Sequence, residues 1–177
     1  MKRFILLLVW GYCVMGLIVI SPTYSQEQPA SGELVVKAWE AHGRHDIEAT
    51  FKYTQTIIDL YKDQADKEQA SLKALPKNKE EIEQAAALND VATAYFIQAE
   101  SLMRQEKIEE AKKAFKLIID KYPYAQAWDQ RGWYWQIAQA AKQSITKIES
   151  GSIEIEKKKQ VSQLPTKVVL YDPGKVE

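Results

Sequence analysis

The sequence predicts an all-α fold made of antiparallel helical hairpins. Its 177 residues include only seven glycines and six prolines, so turns should be few and helices long. Between residues 31 and 150, apolar side chains recur at i, i+3, i+4 and i+7, which is the spacing of one helical face. The chain is 46% hydrophobic and 27% charged, as is typical of a soluble globular domain.

Residues 91–128 carry the clearest helical signal. They predict two helices joined by a tight turn at residues 105–107, and Pro123 marks the end of the second helix. Small residues alternate with large ones, as with Ala111 and Phe115, and this pattern lets two antiparallel helices approach closely. One hairpin cannot bury both of its faces, so it requires neighbouring helices. The side chains expected to be buried are Tyr95, Ala99, Leu102, Ile108, Ala111, Phe115 and Ile118, with Phe96 and Met103 beside them.

This spacing resembles the tetratricopeptide repeat, a helix-turn-helix unit of about 34 residues. The residue types fit the repeat at Ala99, Ala111, Phe115 and Pro123. Gln98 is polar where the family usually has an apolar residue, and Glu106 replaces the usual turn glycine. The resemblance implies a right-handed array of helical hairpins whose first helices line a concave groove that binds a protein or peptide partner. An ordinary two-helix hairpin in a generic bundle is the alternative.

Residues 31–61 resemble a first repeat. Ser31 is a candidate N-cap for a helix that starts at Gly32, and Asp46 can cap the second helix. The turn between them is one residue shorter than the family pattern, and Lys37 stands where an apolar residue is preferred. The first helix is expected to bury Leu34, Ala38 and Ala41. The second carries two apolar stripes, Ala49, Tyr53, Thr56 and Leu60 on one and Ile47, Phe51, Ile58 and Tyr61 on the other.

The hairpin that joins the two repeats is predicted to be elongated. The turns at Asp46 and Lys107 lie about 60 residues apart, whereas the repeat period is about 34. The excess would lengthen each of two helices by roughly 13 residues, or about 20 Å. We expect the first of them to extend to about Ala74 and the next to start near Lys79, with Asn78 in a capping box. Such helices would protrude as an arm beyond the repeat body.

Residues 124–150 are predicted to form the first helix of an incomplete third repeat. Trp128 and Trp135 are seven positions apart and would share a face of that helix. The tryptophans have two interpretations. They pack in the core under a capping helix, or they form an aromatic binding surface with Trp133 and Tyr134 on the open side.

Both ends of the chain differ from the repeat region, which spans residues 26–150. Residues 1–25 have the basic start, apolar run and small-residue cleavage site of a signal peptide, with cleavage expected after Ser25. The alternative is an uncleaved N-terminal membrane anchor. The protein is therefore expected to be exported, either periplasmic or associated with the cell envelope. Residues 151–177 are predicted to form a capping helix and an extended tail.

The sequence holds no motif of a catalytic site, so we expect neither enzymatic activity nor a cofactor. His42 and His45, with Asp46 beside them, are a weak candidate for a metal site, and a polar turn explains them better. The formal net charge is zero and no basic stripe is present, which argues against a nucleic-acid partner. Cys13 is the only cysteine, so no intramolecular disulfide is expected.

The resemblance, carried over position by position, implies three sets of groove residues. These are Val35, Trp39 and His42 in the first repeat, Phe96, Glu100, Met103 and Arg104 in the second, and Gln130, Tyr134 and Ile137 in the third. The implied function is an exported scaffold or adaptor that binds a protein or peptide partner and meets a membrane only if its N-terminal segment stays uncleaved. The alternative is a membrane-tethered helical stalk or structural protein that self-associates through the long arm. The oligomeric state is left open.

Overall fold

The computed structural model describes residues 28–151, and α-helices dominate this part of the chain. The all-α prediction is therefore confirmed at the level of fold class, although a small β-hairpin is added. The predictions made for residues 1–25 and for 152–177 lie outside the described residues. The elements are α1 (Ser31–Gly43), α2 (Ile47–Ser71), α3 (Lys79–Glu83), α4 (Ala86–Arg104), α5 (Ile108–Lys121), β1 (Gln126–Asp129), β2 (Trp133–Gln136) and α6 (Ile137–Glu149).

Helix α4 is the centre of the fold. It packs against α1, α2, α5 and α6, and it also contacts α3 and β1. Helix α1 packs on α2, and α5 packs on α6. Links of three residues, 44–46 and 105–107, join α1 to α2 and α4 to α5, and links this short make the joined helices antiparallel neighbours.

Small side chains allow α4 to contact so many neighbours. Ten of its 19 residues are buried, and four of these are alanines, which let the helix axes approach closely. Phe96 meets Phe115 of α5 edge to face, with ring centroids 5.5 Å apart. The burial predicted for Ala99, Ala111, Phe115 and Ile118 is confirmed, whereas Tyr95, Leu102 and Ile108 are only half-buried.

The turns after α1 and α4 have the same hydrogen-bond pattern. The Asp46 amide donates to the Ala41 carbonyl at 3.0 Å, and the Lys107 amide donates to the Leu102 carbonyl at 3.0 Å. Each turn also places one non-glycine residue in the left-handed region, His45 at φ 59° and Glu106 at φ 63°. These are Schellman motifs, which satisfy carbonyls left over at a helix C-terminus. The predicted turn at residues 105–107 is confirmed.

The predicted arm does not protrude from the body. Helix α2 has 25 residues, as the elongated hairpin requires, but its far end is tied to the end of α5. Asp66 accepts hydrogen bonds from Lys121 Nζ at 2.8 Å and from the Tyr122 hydroxyl at 2.9 Å. The returning helix is also broken, because α3 ends at Glu83 and α4 begins at Ala86. Residues after α5 fold back over this region, and the arm becomes part of the core.

The helix predicted from residue 124 onwards is wrong in its first half, where the chain forms an antiparallel β-hairpin. Trp128 lies opposite Tyr134, and Ala127 opposite Trp135. The run of tryptophan and tyrosine in β2 favours a strand. Gly132 has φ +108°, a conformation that suits glycine, and its amide donates to the Asp129 carbonyl at 2.9 Å to close the turn.

Two of the three predicted caps are confirmed. Asp46 Oδ1 accepts the Ala49 amide, and Asn78 Oδ1 accepts the Glu81 amide, each at 2.9 Å. Ser31 instead forms the first residue of α1, and its hydroxyl donates to Asp90 Oδ2 at 2.6 Å. That bond fixes the start of α1 to the side of α4.

Of the apolar stripes predicted for α2, only Ile58 belongs to the buried face. That face includes Thr50 and Thr54, while Leu60 is exposed. Buried threonine is tolerated because each hydroxyl donates to a backbone carbonyl of the preceding turn, Thr50 to Asp46 at 2.6 Å and Thr54 to Thr50 at 2.8 Å.

Candidate functional site

A groove of about 390 Å³ runs between α1, α4 and the β-hairpin. We call it the α1–α4 groove. Helix α1 contributes Gly32, Val35, Val36 and Trp39, and α4 contributes Ala86, Asn89, Asp90 and Thr93. Residues at these spacings lie on one helical face, so each helix presents one stripe to the groove. The hairpin supplies the remaining wall with Gln126, Ala127, Trp128, Gln130 and Tyr134, and Ile82 and Glu83 of α3 lie at one end.

The groove exposes large apolar side chains. Val36 is 57% exposed, Trp128 56% and Trp39 37%. Trp128 rests edge to face on Tyr134, with ring centroids 4.9 Å apart, so the two strands hold these rings together. Leu34, Ala38 and Ala41 already bury the other face of α1, so Val36 and Trp39 are not required for folding in the same way. Apolar side chains grouped on a surface mark interaction sites.

The side chain of Asn89 holds the hairpin wall against α4. Its Oδ1 accepts the Gln126 amide at 2.8 Å, and its Nδ2 donates to the Ile82 carbonyl at 2.8 Å. On the opposite side of β1, Gln126 Nε2 donates to the Pro76 carbonyl at 2.8 Å. These bonds tie β1 both to α4 and to the chain segment before α3, and they pair buried backbone groups of Gln126 and Pro76.

Asp90 is one of two carboxylate side chains that line the groove, with Glu83. It is half-buried, and it accepts the hydrogen bond from the Ser31 hydroxyl. Burial raises the pKa of Asp90, the Ser31 bond acts in the opposite direction, and the Glu68 carboxylate raises it further. Burial in the groove therefore acts against the charged form of this carboxylate.

Four of the ten predicted groove residues line the groove together. They are Val35 and Trp39 from α1, Gln130 from the hairpin turn and Tyr134 from β2. The prediction placed Gln130 and Tyr134 on a helix, whereas in the structure the β-hairpin places both on the same wall of the groove.

Three predicted groove residues are buried and do not offer a contact surface. Ile137 is fully buried, and Phe96 lies between Phe115 and Trp135, with its ring centroid 5.3 Å from that of Trp135. Trp135 and α6 cover the second half of α4, which would otherwise continue the groove. His42, the third, is 95% buried at the end of α1, since 5% of it is exposed.

His42 belongs to a polar cluster that joins the two helical turns. Its Nδ1 lies 3.0 Å from Ser101 Oγ, and Arg104 Nη1 donates to the His42 carbonyl at 2.6 Å. Burial lowers the pKa of His42 to about 4, and the charges of Arg104 and His45 act in the same direction. Predicted groove residues Arg104 and His42 therefore connect α4 to α1. The contacts of these two residues are therefore structural, because they hold α1 and α4 together.

Glu100 and Met103, the last two predicted groove residues, are half-buried on α4. Burial raises the pKa of Glu100, and the charges of Arg104 and Lys147 oppose that shift. Met103 packs against the hydrophobic core. Neither residue lines the α1–α4 groove.

Asp90, Val36 and Trp128 also line the groove, and none of them was among the predicted groove residues. A helix over residues 124–150 would have placed Trp128 and Trp135 on one face, whereas neighbouring groove residues Trp128 and Tyr134 are cross-strand partners. The turn sequence Asp129-Gln-Arg-Gly132 was the signal that could have indicated a hairpin.

Within residues 28–151, no group of three or more histidine, cysteine, aspartate or glutamate side chains is arranged to hold a metal ion. In the same range no helix combines the length and apolar character needed to cross a membrane. Comparison with models of protein families, with curated proteins and with solved structures finds no match to this chain.

Proposed function

We propose that the protein is a non-catalytic scaffold or adaptor that binds a segment of a protein or peptide partner in the α1–α4 groove. The observation that carries this proposal is the grouping of Val36, Trp39 and Trp128, three exposed large apolar side chains, around one groove. Tryptophan is enriched among the residues that dominate binding energy at protein interfaces. A groove flanked by helices on one side and a hairpin on the other suits an extended or helical segment.

The proposal includes a tetratricopeptide-like arrangement of the helices. The order of packing supports it, because α1, α2, α4, α5 and α6 each contact the next in sequence. In addition, α1 contacts α4 and α4 contacts α6, as expected if these are the first helices of successive repeats. The groove lies on this side of α1 and α4, which is where the resemblance implies the concave binding face.

Export is the second part of the proposal, with removal of residues 1–25. The Pro29 carbonyl accepts a hydrogen bond from the Tyr61 hydroxyl at 2.7 Å, so Pro29, four residues beyond the expected cleavage site at Ser25, is bonded to α2. N-terminal sequencing of protein recovered from the envelope fraction tests this step. An intact Met1 on protein in the membrane pellet would favour the tethered alternative.

The binding proposal is tested by capture from an envelope extract with the mature chain as bait. The double variant Trp39→Ala and Trp128→Ala should bind its partner at least about thirtyfold more weakly, because truncating even one central aromatic contact costs about 2 kcal/mol or more. Trp133→Ala is the matched control, since Trp133 is 45% exposed on the same hairpin but does not line the groove.

Circular dichroism must show that all variants keep their helix content. If the double variant captures the same proteins as the unchanged chain, the groove is not the binding site. A self-associating stalk predicts instead that light scattering detects a dimer of the mature chain. That dimer should disappear when the exposed α2 residue Leu60 is replaced by Glu.

A further inference from the structure

The charged side chains that line the α1–α4 groove are all acidic. Asp90 and Glu83 line it, and none of its lining residues in the described part of the chain is lysine, arginine or histidine. Glu83 is exposed and lies 3.6 Å from Lys79 Nζ, an ion pair of the surface kind that contributes little. No ion pair between described residues includes Asp90, so its charge is left without a cation.

The aromatic rings of the groove favour the same kind of ligand. The faces of Trp39, Trp128 and Tyr134 carry negative quadrupole charge, which attracts lysine and arginine head groups. The hairpin already contains one such contact, because the Arg131 guanidinium lies 4.4 Å from the centre of the Trp133 ring. Arg131 also donates two hydrogen bonds, of 2.9 and 2.8 Å, to the Asp129 carboxylate. Its guanidinium is therefore paired, and it does not line the groove.

The size of the groove limits what can enter. A volume of about 390 Å³ lies at the lower end of the range of small-molecule sites, about 300–1,000 Å³. It can hold one or two side chains of a segment but not a folded domain. An anionic side chain would be repelled by Asp90, and a purely apolar one would strip water from the carboxylate without replacing its hydrogen bonds.

We propose that the α1–α4 groove takes an arginine or lysine side chain of a basic peptide segment, with the head group on the Asp90 carboxylate and the stem across Trp39 and Trp128. This rests on the proposed function, since it names the chemistry of the partner that the same groove binds. Long cationic side chains cover apolar surface with their methylene stems while the charge stays at a polar site, and the groove offers both surfaces together.

The test uses a displayed library of random 12-residue peptides, selected on the immobilised mature chain. Peptides whose binding is lost in the Trp39→Ala variant are groove ligands, and these should be enriched in arginine or lysine. The best one is then synthesised with its key arginine replaced by citrulline, which has nearly the same shape but no charge. We expect the replacement to weaken binding about tenfold, as does loss of one hydrogen bond to a charged group.

The variant Asp90→Asn should weaken binding of the arginine peptide by the same factor and leave the affinity for the citrulline peptide unchanged. Asparagine keeps an oxygen that can accept the Ser31 hydrogen bond, so the fold should persist. Asp63→Asn, on an exposed position of α2, is the matched control and should change neither affinity. Raising the salt concentration should weaken binding of the arginine peptide but not of the citrulline peptide.

The outcomes separate the two proposals. Groove ligands without basic residues, or an equal effect of Asp90→Asn on both peptides, would overturn the cationic inference and leave the binding groove standing. A selection that yields no peptide sensitive to Trp39→Ala would overturn both. A dimer of the mature chain that dissociates in Asp90→Asn would make the occupant a second copy of this chain, and a separate basic partner would then be wrong.

Discussion

At the scale of single residues, the clearest consequence concerns His42. The unfolded chain holds this histidine at a pKa near its ordinary value of 6.5, whereas burial first, and Arg104 and His45 next, lower its pKa to about 4 in the folded state. The folded state therefore favours the neutral form of the imidazole ring. Its contribution to stability is therefore complete above pH 6.5 and is lost as the pH falls from 6.5 through 4.

We expect the free energy of unfolding to fall by about 2 kcal/mol between pH 7 and pH 4.5 through this residue alone. Urea denaturation at several pH values measures it, and His42→Gln should remove the pH-dependent part while retaining a polar contact to Ser101. His45→Gln, on the exposed turn, is the comparison and should change the pH dependence only slightly, because the charge of His45 is the smallest of the three causes of the lowered pKa of His42. The assignment fails if His42→Gln and the unchanged chain lose stability in parallel over this range.

At the scale of elements, the two Schellman turns lead into helices with different N-caps. After the first turn, Asp46 caps α2 with its carboxylate; after the second, Lys107 stands at the N-cap of α5 and no side chain caps the helix. The backbone at the two positions is similar, with φ −81° and −82°. Helix α5 is therefore missing a cap that its backbone geometry would accept.

Replacing Lys107 by Ser should raise the free energy of unfolding by about 0.5–1 kcal/mol, and Asp46→Ala should lower it by about 1 kcal/mol. Thermal and urea unfolding of the two variants measure both changes. Lys113→Ser, on an exposed position inside α5, is the control, because serine there cannot cap and should be slightly destabilising. A destabilised Lys107→Ser variant would show that the lysine makes a contact worth more than the cap.

The sequence predicted the elements that depend on local chemistry. Asp46, Asn78 and the turn at 105–107 bond within a few residues, so their pattern is visible in the chain. The β-hairpin depends on distant partners, above all Asn89, whose amide side chain fixes β1 from 37 positions away. A seven-residue spacing of tryptophans cannot distinguish a helix from a hairpin, and tertiary contacts decided it.

The same distinction explains why less than half of the predicted groove set lines the groove. Val35 and Trp39 follow from helical spacing on α1, which the structure retains. Asp90 has no sequence signal of its own, because its place in the groove depends on how α4 packs against α1, where Ser31, 59 positions away, donates to it. The prediction for Phe96 is wrong because the hairpin packs Trp135 over it.

At the scale of the whole molecule, Asp66 joins parts of the chain that are far apart in sequence. It receives Lys62 from its own helix, Lys121 from α5 and the buried hydroxyl of Tyr122. Burial acts to raise the pKa of Asp66, but the bonds from Lys121, Lys62 and Tyr122 outweigh it and leave the pKa below its ordinary value. The cluster ties the far part of α2 to the end of α5, so the body should unfold as one unit.

Removing the hydroxyl in Tyr122→Phe should cost about 1–2 kcal/mol, since Tyr122 is fully buried and its partner is charged. It should also speed amide hydrogen exchange around Asp66 in α2 and at the end of α5, which this hydrogen bond joins. Tyr124→Phe is the control, because that hydroxyl makes only an exposed contact of 3.4 Å to Lys73. Equal effects of the two variants would mean that the cluster does not close the arm.

The β-hairpin wall also bears on how proteins of this design could diverge. A helix at this position would pack against the core along its whole length. The β-hairpin instead ends in a turn, residues 130–132, that is exposed to solvent. No atom lies within 4 Å of where a Cβ of Gly132 would stand. Extra residues inserted here would reshape the rim of the groove and leave the helical core untouched. The rim of the groove can thus change through the length of one turn, independently of the residues on which folding depends.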